Sequence, residues 1–290
     1  MTSLFCFGLG YSAEALARRV RPLGWRIAGT ARTAEGQARL ASLGYDAFLF
    51  DGMAPGSGIS DALADASHVL VSAGPDQDGD PTLRFHEGDL ARAPHLRWIG
   101  YLSTIGVYGN TDGAWIDETA APNPGSERST RRIGAENAWR AFGNAHGKSV
   151  QIFRLGGIYG PGRSAFDDLR DGTARRIVKP GQVFNRIHVD DIASVLFAAA
   201  SGAGRHTVYN VTDGTPSPSQ EMIAHAADLL GVEPPPEISV EEAKLSPMGR
   251  SFYAENRRVA NRRLQDDLGV TLAYPSYREG LADILAKSRT

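Results

Sequence analysis

Residues 3–13 read Ser-Leu-Phe-Cys-Phe-Gly-Leu-Gly-Tyr-Ser-Ala, an apolar strand that turns through Gly-x-Gly-x-x-Ala straight into a helical pattern. No other stretch restricts the possible folds as much. Such a junction needs a sharp turn at Gly8, a backbone open to close approach at Gly10, and a small side chain at Ala13 where helix meets strand. The helix start then offers free N–H groups and the positive end of its dipole, which together make a seat for an anion. In this context the turn reads as the seat of a dinucleotide pyrophosphate. Gly8, Leu9, Gly10, Tyr11, Ser12 and Ala13 are its expected lining.

The pattern continues as alternating strands and helices. Strands are expected at 3–8, 25–30, 47–50, 68–72, 98–103 and 150–155. Helices are expected at 12–23, 37–43, 60–66 and 129–143. Strands separated by helices imply a parallel sheet with right-handed crossovers and helices on both faces. The fold class is therefore α/β, a doubly wound parallel sheet (Rossmann fold). After Gly156 glycines and prolines break the chain into shorter pieces: a helix at 192–200 capped by Asp190, a strand at 207–211, a helix at 219–230, and a stiff spacer at Pro234-Pro235-Pro236. The expected division is a dinucleotide-binding core over 1–156 and a smaller mixed α+β substrate region over 157–290. The two interleave, with the strand and helix near 183–211 returning to the core.

Composition narrows the function classes. A net charge of −2 over 290 residues gives no reason to expect nucleic acid or an anionic membrane as partner. One cysteine, Cys6, cannot form an internal disulfide and reads as a small buried hydrophobe. No apolar run reaches spanning length and no charged segment precedes a signal-like core, so a cytoplasmic protein with a small-molecule ligand is expected. No His/Cys/Asp spacing suggests a metal, and no Gly-x-Ser-x-Gly elbow suggests a hydrolase.

The end of the second strand bears on the cofactor. An acid there bonds the ribose 2′-hydroxyl of NAD, whereas a cation accommodates the 2′-phosphate of NADP. This chain reads Gly29-Thr30-Ala31-Arg32-Thr33, with no carboxylate and with an arginine fork available. NADP(H) is favoured and NAD(H) stays open. Asp51-Gly52 after strand three and Ser72-Ala73-Gly74 after strand four lie at the carboxyl ends of strands, where open sheets bind ligands.

Three further segments carry a resemblance: Tyr101-Leu102-Ser103-Thr104-Ile105-Gly106-Val107-Tyr108-Gly109, Phe153-Arg154-Leu155-Gly156-Gly157-Ile158-Tyr159-Gly160-Pro161-Gly162, and Asn185-Arg186-Ile187-His188-Val189-Asp190-Asp191-Ile192. With the glycine loop they resemble the extended short-chain dehydrogenase/reductases, the NAD-dependent epimerase/dehydratase family. The resemblance runs nearly the whole length, to Tyr274-Pro275-Ser276-Tyr277 and beyond. It implies that Ser103, Leu155, Gly156, Gly157 and Ile158 border the cofactor. It also implies a catalytic Ser/Thr, Tyr and Lys. In that chemistry the lysine lowers the tyrosine pKa so that the phenol exchanges a proton with substrate. Thr104 matches the hydroxyl.

The other two are missing. The matching helix reads Arg128-Ser129-Thr130-Arg131-Arg132-Ile133-Gly134-Ala135-Glu136, which puts Arg128 in the tyrosine slot and Arg132 in the lysine slot. No tyrosine of this chain has a lysine four residues on. Arginine holds an anion or a ribose but does not cycle a proton near neutral pH. The chain thus resembles an atypical branch. Tyr108 and Arg132 stand beside Thr104 as catalytic candidates, with a packing role the competing reading for Tyr108. Arg128, Arg186, His188 and Arg257 are substrate candidates, and a structural strand–helix junction competes for His188. Two functions follow: an oxidoreductase on a small carbonyl or sugar-nucleotide-like substrate, or a non-catalytic NADP(H)-binding sensor. The resemblance also implies a homodimer through the helix around Arg132.

Overall fold

The computed structural model describes residues 1–289. Five strands and their crossover helices come first: β1 (Ser3–Phe7), α1 (Tyr11–Val20), β2 (Arg26–Ala31), α2 (Ala34–Ser42), β3 (Asp46–Leu49), α3 (Ile59–Ala64), β4 (His68–Val71), α4 (Pro81–Arg92) and β5 (Trp98–Thr104). Then come β6 (Trp115–Ile116), the long α5 (Glu127–His146), β7 (Val150–Leu155) and β8 (Gly157–Tyr159). The remainder holds α6 (Ala165–Arg170), β9 (Arg176–Val178), β10 (Arg186–His188), α7 (Val189–Ala200), β11 (Val208–Val211), α8 (Ser219–Leu230), β12 (Glu237–Ser239), α9 (Pro247–Ala254), β13 (Arg258–Val259), α10 (Arg262–Asp266) and α11 (Tyr277–Ser288).

Seven strands form one parallel sheet in the order β11-β7-β5-β4-β1-β2-β3. The central strands β1, β4 and β7 are buried along their whole length, as near-continuous apolar runs in a parallel sheet require. On one face Leu16 and Ala17 of α1 pack with Ile192, Val195 and Leu196 of α7. On the other, α3, α4 and α5 supply Leu63, Leu90, Trp139 and Phe142. The strand order reverses between β1 and β4, and the loops leaving those two strands frame the crevice where such sheets take ligands.

The last sheet strand, β11, comes from the second half of the chain, so that half completes the sheet. Three short parallel pairings, β8–β10, β9–β12 and β6–β13, tie the later segments together. The third brings Arg258 and Val259 back beside Trp115 and Ile116 in the β5–α5 connection. A separate apolar cluster of Phe166, Met222, Leu281 and Ile284 holds α6, α8 and α11 together.

Two local readings change. Helix α4 has no counterpart in the sequence reading, because its buried face is Pro81, Thr82, His86 and Leu90, and only one of these is a strong apolar marker. Its signature was the cap: Asp80 accepts from the N–H groups of Thr82 and Leu83, and Pro81 sits in the first turn. Helix α7 is capped by His188, not Asp190, with Nδ1 accepting from the Asp190 N–H at 3.2 Å. Among the described residues no helix is long and apolar enough to cross a membrane.

Candidate functional site

The glycine turn is held by its neighbours. Gly8 has φ +81°, and a Cβ there would lie 3.2 Å from the Ala73 nitrogen, so only glycine fits between the loops that leave β1 and β4. The Gly8 N–H donates to the Thr30 hydroxyl at 2.8 Å and the Leu9 N–H to the Thr30 carbonyl at 2.9 Å. Thr30 is buried, so its role is to shape the turn and not to touch a ligand. Leu9 and Ala13 are likewise buried in the core beneath the turn. The N–H groups of Ser72 and Ala73 both donate to the Phe7 carbonyl, which closes the crevice floor.

Gly10 is the N-cap of α1, and no side chain caps that helix. A Cβ on Gly10 would meet nothing within 4 Å. The uncapped N–H groups of the first turn therefore open onto free space, which fits a pyrophosphate brought close to the backbone. Tyr11 reaches across, its hydroxyl donating to the Pro161 carbonyl at 3.0 Å. Arg32 is exposed between β2 and Thr33, the cap of α2, and no hydrogen bond or ion pair engages it among the described residues. Asp51 uses Oδ1 on the Met53 N–H at 2.9 Å, and the Gly52 carbonyl accepts from Arg84 at 2.8 Å, so this turn is docked on α4.

From Ser12 and Ser72 a cleft of about 1590 Å³ runs past the end of β5 and the loop Leu155-Gly156-Gly157-Ile158 to α8 and α9. Thr104 is half-buried on its wall and accepts from the Gly106 N–H at 3.1 Å, which leaves its own O–H to donate. Sequence reasoning missed Ser129. A Cβ on Gly106 would stand 3.1 Å from the Ser129 hydroxyl and 3.3 Å from that of Thr104, so both border one notch in the cleft. The available signal was the position of Ser129 next to Arg128, in the first turn of α5.

Arg128 is exposed on the same wall. Arg132 donates through Nη1 to the Leu102 carbonyl at 2.6 Å and to the Tyr101 hydroxyl at 3.2 Å. Its Nη2 lies 3.1 Å from where a Cβ on Gly74 would be, so it presses on the loop that leaves β4. A fixed cation therefore stands in the cleft beside the loop that leaves β4, in the slot that the sequence assigns to lysine. Ser103 borders the cleft, with its hydroxyl donated to Glu136 at 2.6 Å.

Two candidates are corrected by burial. Tyr108 is 2% exposed, donates to Asn210 Oδ1 at 2.8 Å, and carries the Arg154 guanidinium over its ring. Burial, the largest effect, raises its pKa, and it does not line the cleft, so it packs the wall behind it. His188 is fully buried between Tyr159 and Tyr274, caps α7, and does not border the cleft. Burial, the largest effect, lowers its pKa, and its place outside the cleft lining removes it from the substrate set.

Arg186 and Arg257 do reach the cleft. Arg257 is bound to both its neighbour Glu255 and the Gly109 carbonyl. Arg186 is buried, and its Nη1 donates to the Phe184 carbonyl, the Ser217 carbonyl and the Ser217 hydroxyl at 3.1, 3.0 and 2.7 Å. Near it Asp213 is buried with Oδ2 unpartnered, and desolvation pushes its pKa up to about 7.

No family model matches the chain. It is 45% identical to a functionally unknown conserved protein from Silicibacter pomeroyi DSS, with TM-score 0.90 and each chain covered in full. It is 26% identical to a protein of Methylobacillus flagellatus provisionally assigned as an NAD-dependent epimerase/dehydratase, with TM-score 0.73 and 100% and 99% of the two chains covered. Among curated proteins it is 28% identical to Protein YeeZ of Escherichia coli K12 over 95% of this chain and 97% of that one. A 3-diazoavenalumate denitrifying reductase of Streptomyces matches at 29% over 57% of this chain and 58% of its own. The dTDP-glucose 4,6-dehydratase of Bacillus anthracis in complex with NAD shares the fold at 15% identity and TM-score 0.79, with 100% and 97% covered. From the glycine turn to the closing helix, the chain belongs to the extended short-chain dehydrogenase/reductases of the NAD-dependent epimerase/dehydratase type.

Proposed function

We propose that the protein binds NADP(H) along the glycine turn and acts as an epimerase/dehydratase-like oxidoreductase on a small carbonyl or sugar-nucleotide-like compound, without the Tyr/Lys pair. The observation that carries this reading is the uncapped start of α1, open at Gly10, at the head of a cleft that continues well beyond a cofactor's seat. The NAD-bound structure of the same fold supports a nicotinamide coenzyme in general, and the reductase relative supports redox chemistry. A sensor that reads cofactor occupancy alone has no use for the far end of that cleft. A bound nicotinamide coenzyme would supply hydride chemistry, and the chain's own residues would hold it and orient the substrate. Arg32 pairs with the 2′-phosphate, Thr104 donates to the substrate oxygen, and Arg132 steadies charge at the cofactor side. Arg128, Arg186 and Arg257 bind the substrate.

The test is a fluorescence titration with NADPH and NADH, followed by absorbance of bound NADPH with pooled sugar nucleotides and carbonyl compounds. The expected result is tighter NADPH binding, and turnover that Thr104→Ala lowers by at least about tenfold. Arg32→Asp reverses the coenzyme preference. NADPH affinity untouched by Arg32→Asp removes that residue from the account, and binding without turnover across the pool returns the protein to the sensor class.

A further inference from the structure

Building on that reading, we infer that Ser129 takes over from the missing tyrosine. With Thr104 it forms a two-hydroxyl seat for a substrate carbonyl oxygen, and with Ser126 it forms the path that protonates that oxygen during reduction. The argument follows the hydroxyl protons. Ser126 caps α5, its Oγ accepting from the Ser129 N–H at 3.2 Å. The Ser126 O–H donates to Ser129 Oγ at 3.0 Å. Ser129 Oγ is therefore the acceptor in that bond, and its own proton has no acceptor among the described residues. A helical hydroxyl can turn back to the carbonyl one turn earlier. Thr130 does so, donating to the Ser126 carbonyl at 3.1 Å, and Ser129 does not.

Ser129 is only 7% exposed, yet it lines the cleft. Thr104 is in the same condition: Oγ1 accepts from the Gly106 N–H, and no described residue takes its proton. Both oxygens converge on Gly106, where a methyl group would come within 3.1 Å of the first and 3.3 Å of the second. Glycine keeps that gap open. Two buried or half-buried O–H donors that share one gap and lack acceptors are completed by an incoming oxygen.

Neighbouring groups do not compete for this task. Arg128 and Arg132 hold charge but keep their protons near neutral pH. Tyr159 and Tyr253, which also line the cleft, commit their hydroxyls to the Ser276 carbonyl and to Ser219. Among the described residues of the cleft wall there is no histidine, lysine or cysteine. The chemistry that suits the notch is reduction of a carbonyl, in which oxygen gains charge and then a proton. The C=O π pair moves onto oxygen as a hydride from the reduced coenzyme forms the new C–H bond. The two O–H groups hold the developing oxyanion. The oxygen then takes the Ser129 proton and Ser129 takes that of Ser126. Ser126, half-buried on the cleft wall, takes one from water, which leaves as hydroxide.

Crystals of the full chain soaked with isobutyramide, an unreactive carbonyl compound, test the seat without coenzyme. The amide oxygen is expected within about 3.2 Å of both the Ser129 and Thr104 hydroxyls. In calorimetric titration Ser129→Ala, and Gly106→Ala which fills the gap, are expected to weaken isobutyramide at least about fivefold. No amide oxygen in the notch, a Ser129 hydroxyl turned back onto α5, or affinity indifferent to Ser129→Ala overturns the seat. With a carbonyl compound reduced in the pooled screen, Ser129→Ala should lower kcat by about a hundredfold, far more than it raises KM. Ser126→Asp still caps α5 but accepts the Ser129 proton and donates none. It should preserve the melting temperature and lower kcat by at least about tenfold. Full kcat in Ser129→Ala refutes the inference and leaves the coenzyme reading standing. Loss of NADPH binding sinks that reading and leaves the isobutyramide result to decide on the seat.

Discussion

Arg154 and Glu136 face each other as a buried fork, Nε to Oε1 at 3.0 Å and Nη2 to Oε2 at 2.7 Å. Ser103 adds its hydroxyl to Oε1 and Arg140 a guanidinium N–H to Oε2. The carboxylate thereby joins α5 to β5 and β7, and the register of α5 sets where Arg128, Ser129 and Arg132 meet the cleft. Arg154 is a structural cation.

Removing one side of this pair strands a buried charge, which costs about 3–5 kcal/mol. Glu136→Ala is expected to lower the urea midpoint accordingly. An unchanged midpoint would show that water reaches the fork and compensates it.

Gly10→Val separates binding from folding. The backbone there is at φ −105° and the space around a Cβ is empty, so the melting temperature should stay put. NADPH affinity is expected to fall by at least about tenfold, because the methyl groups occupy the approach to the α1 N–H groups. Thermal shift and fluorescence titration on one preparation check both halves, and equal affinity in the variant moves the coenzyme elsewhere.

Tyr108→Phe distinguishes packing from proton transfer. Losing the hydroxyl strands buried Asn210 Oδ1, a cost of about 1–3 kcal/mol. Turnover with any substrate found by the pooled screen should persist. A collapse of kcat with stability intact would put Tyr108 back among the catalytic groups.

Asp213 makes stability depend on pH in a defined direction. Burial raises its pKa from an ordinary 3.8 to about 7, so the folded chain holds this proton where the unfolded chain has released it. The resulting contribution is complete below about pH 4 and disappears as pH rises through about 7. Asp213→Asn, which cannot ionise, should be more stable relative to the parent at about pH 8 than at about pH 5, by up to a few kcal/mol. Parallel urea melts at the two pH values measure it, and a pH-independent difference rejects the burial account.

The glycine turn, the parallel strands and most crossover helices were legible in the sequence. A strand buried on both faces must be apolar throughout, and a helix that packs on it must repeat its apolar residues, so local pattern reports both. Helix α4 escaped because Thr82 and His86 fill its buried face. The Gly-x-Gly-x-x-Ala turn, the missing Tyr/Lys pair and Arg32 at the end of β2 likewise depended only on residue order. Which polar groups face the cleft did not. Tyr108 is tied to Asn210, 102 positions away, and Arg154 to Glu136 across the α5–β7 packing. Ser129 enters through Gly106, which leaves room for its hydroxyl beside that of Thr104. Burial and partner choice are settled where distant segments pack together, so the sequence alone determined the scaffold and its glycine turn, and tertiary packing decided which side chains line the cleft.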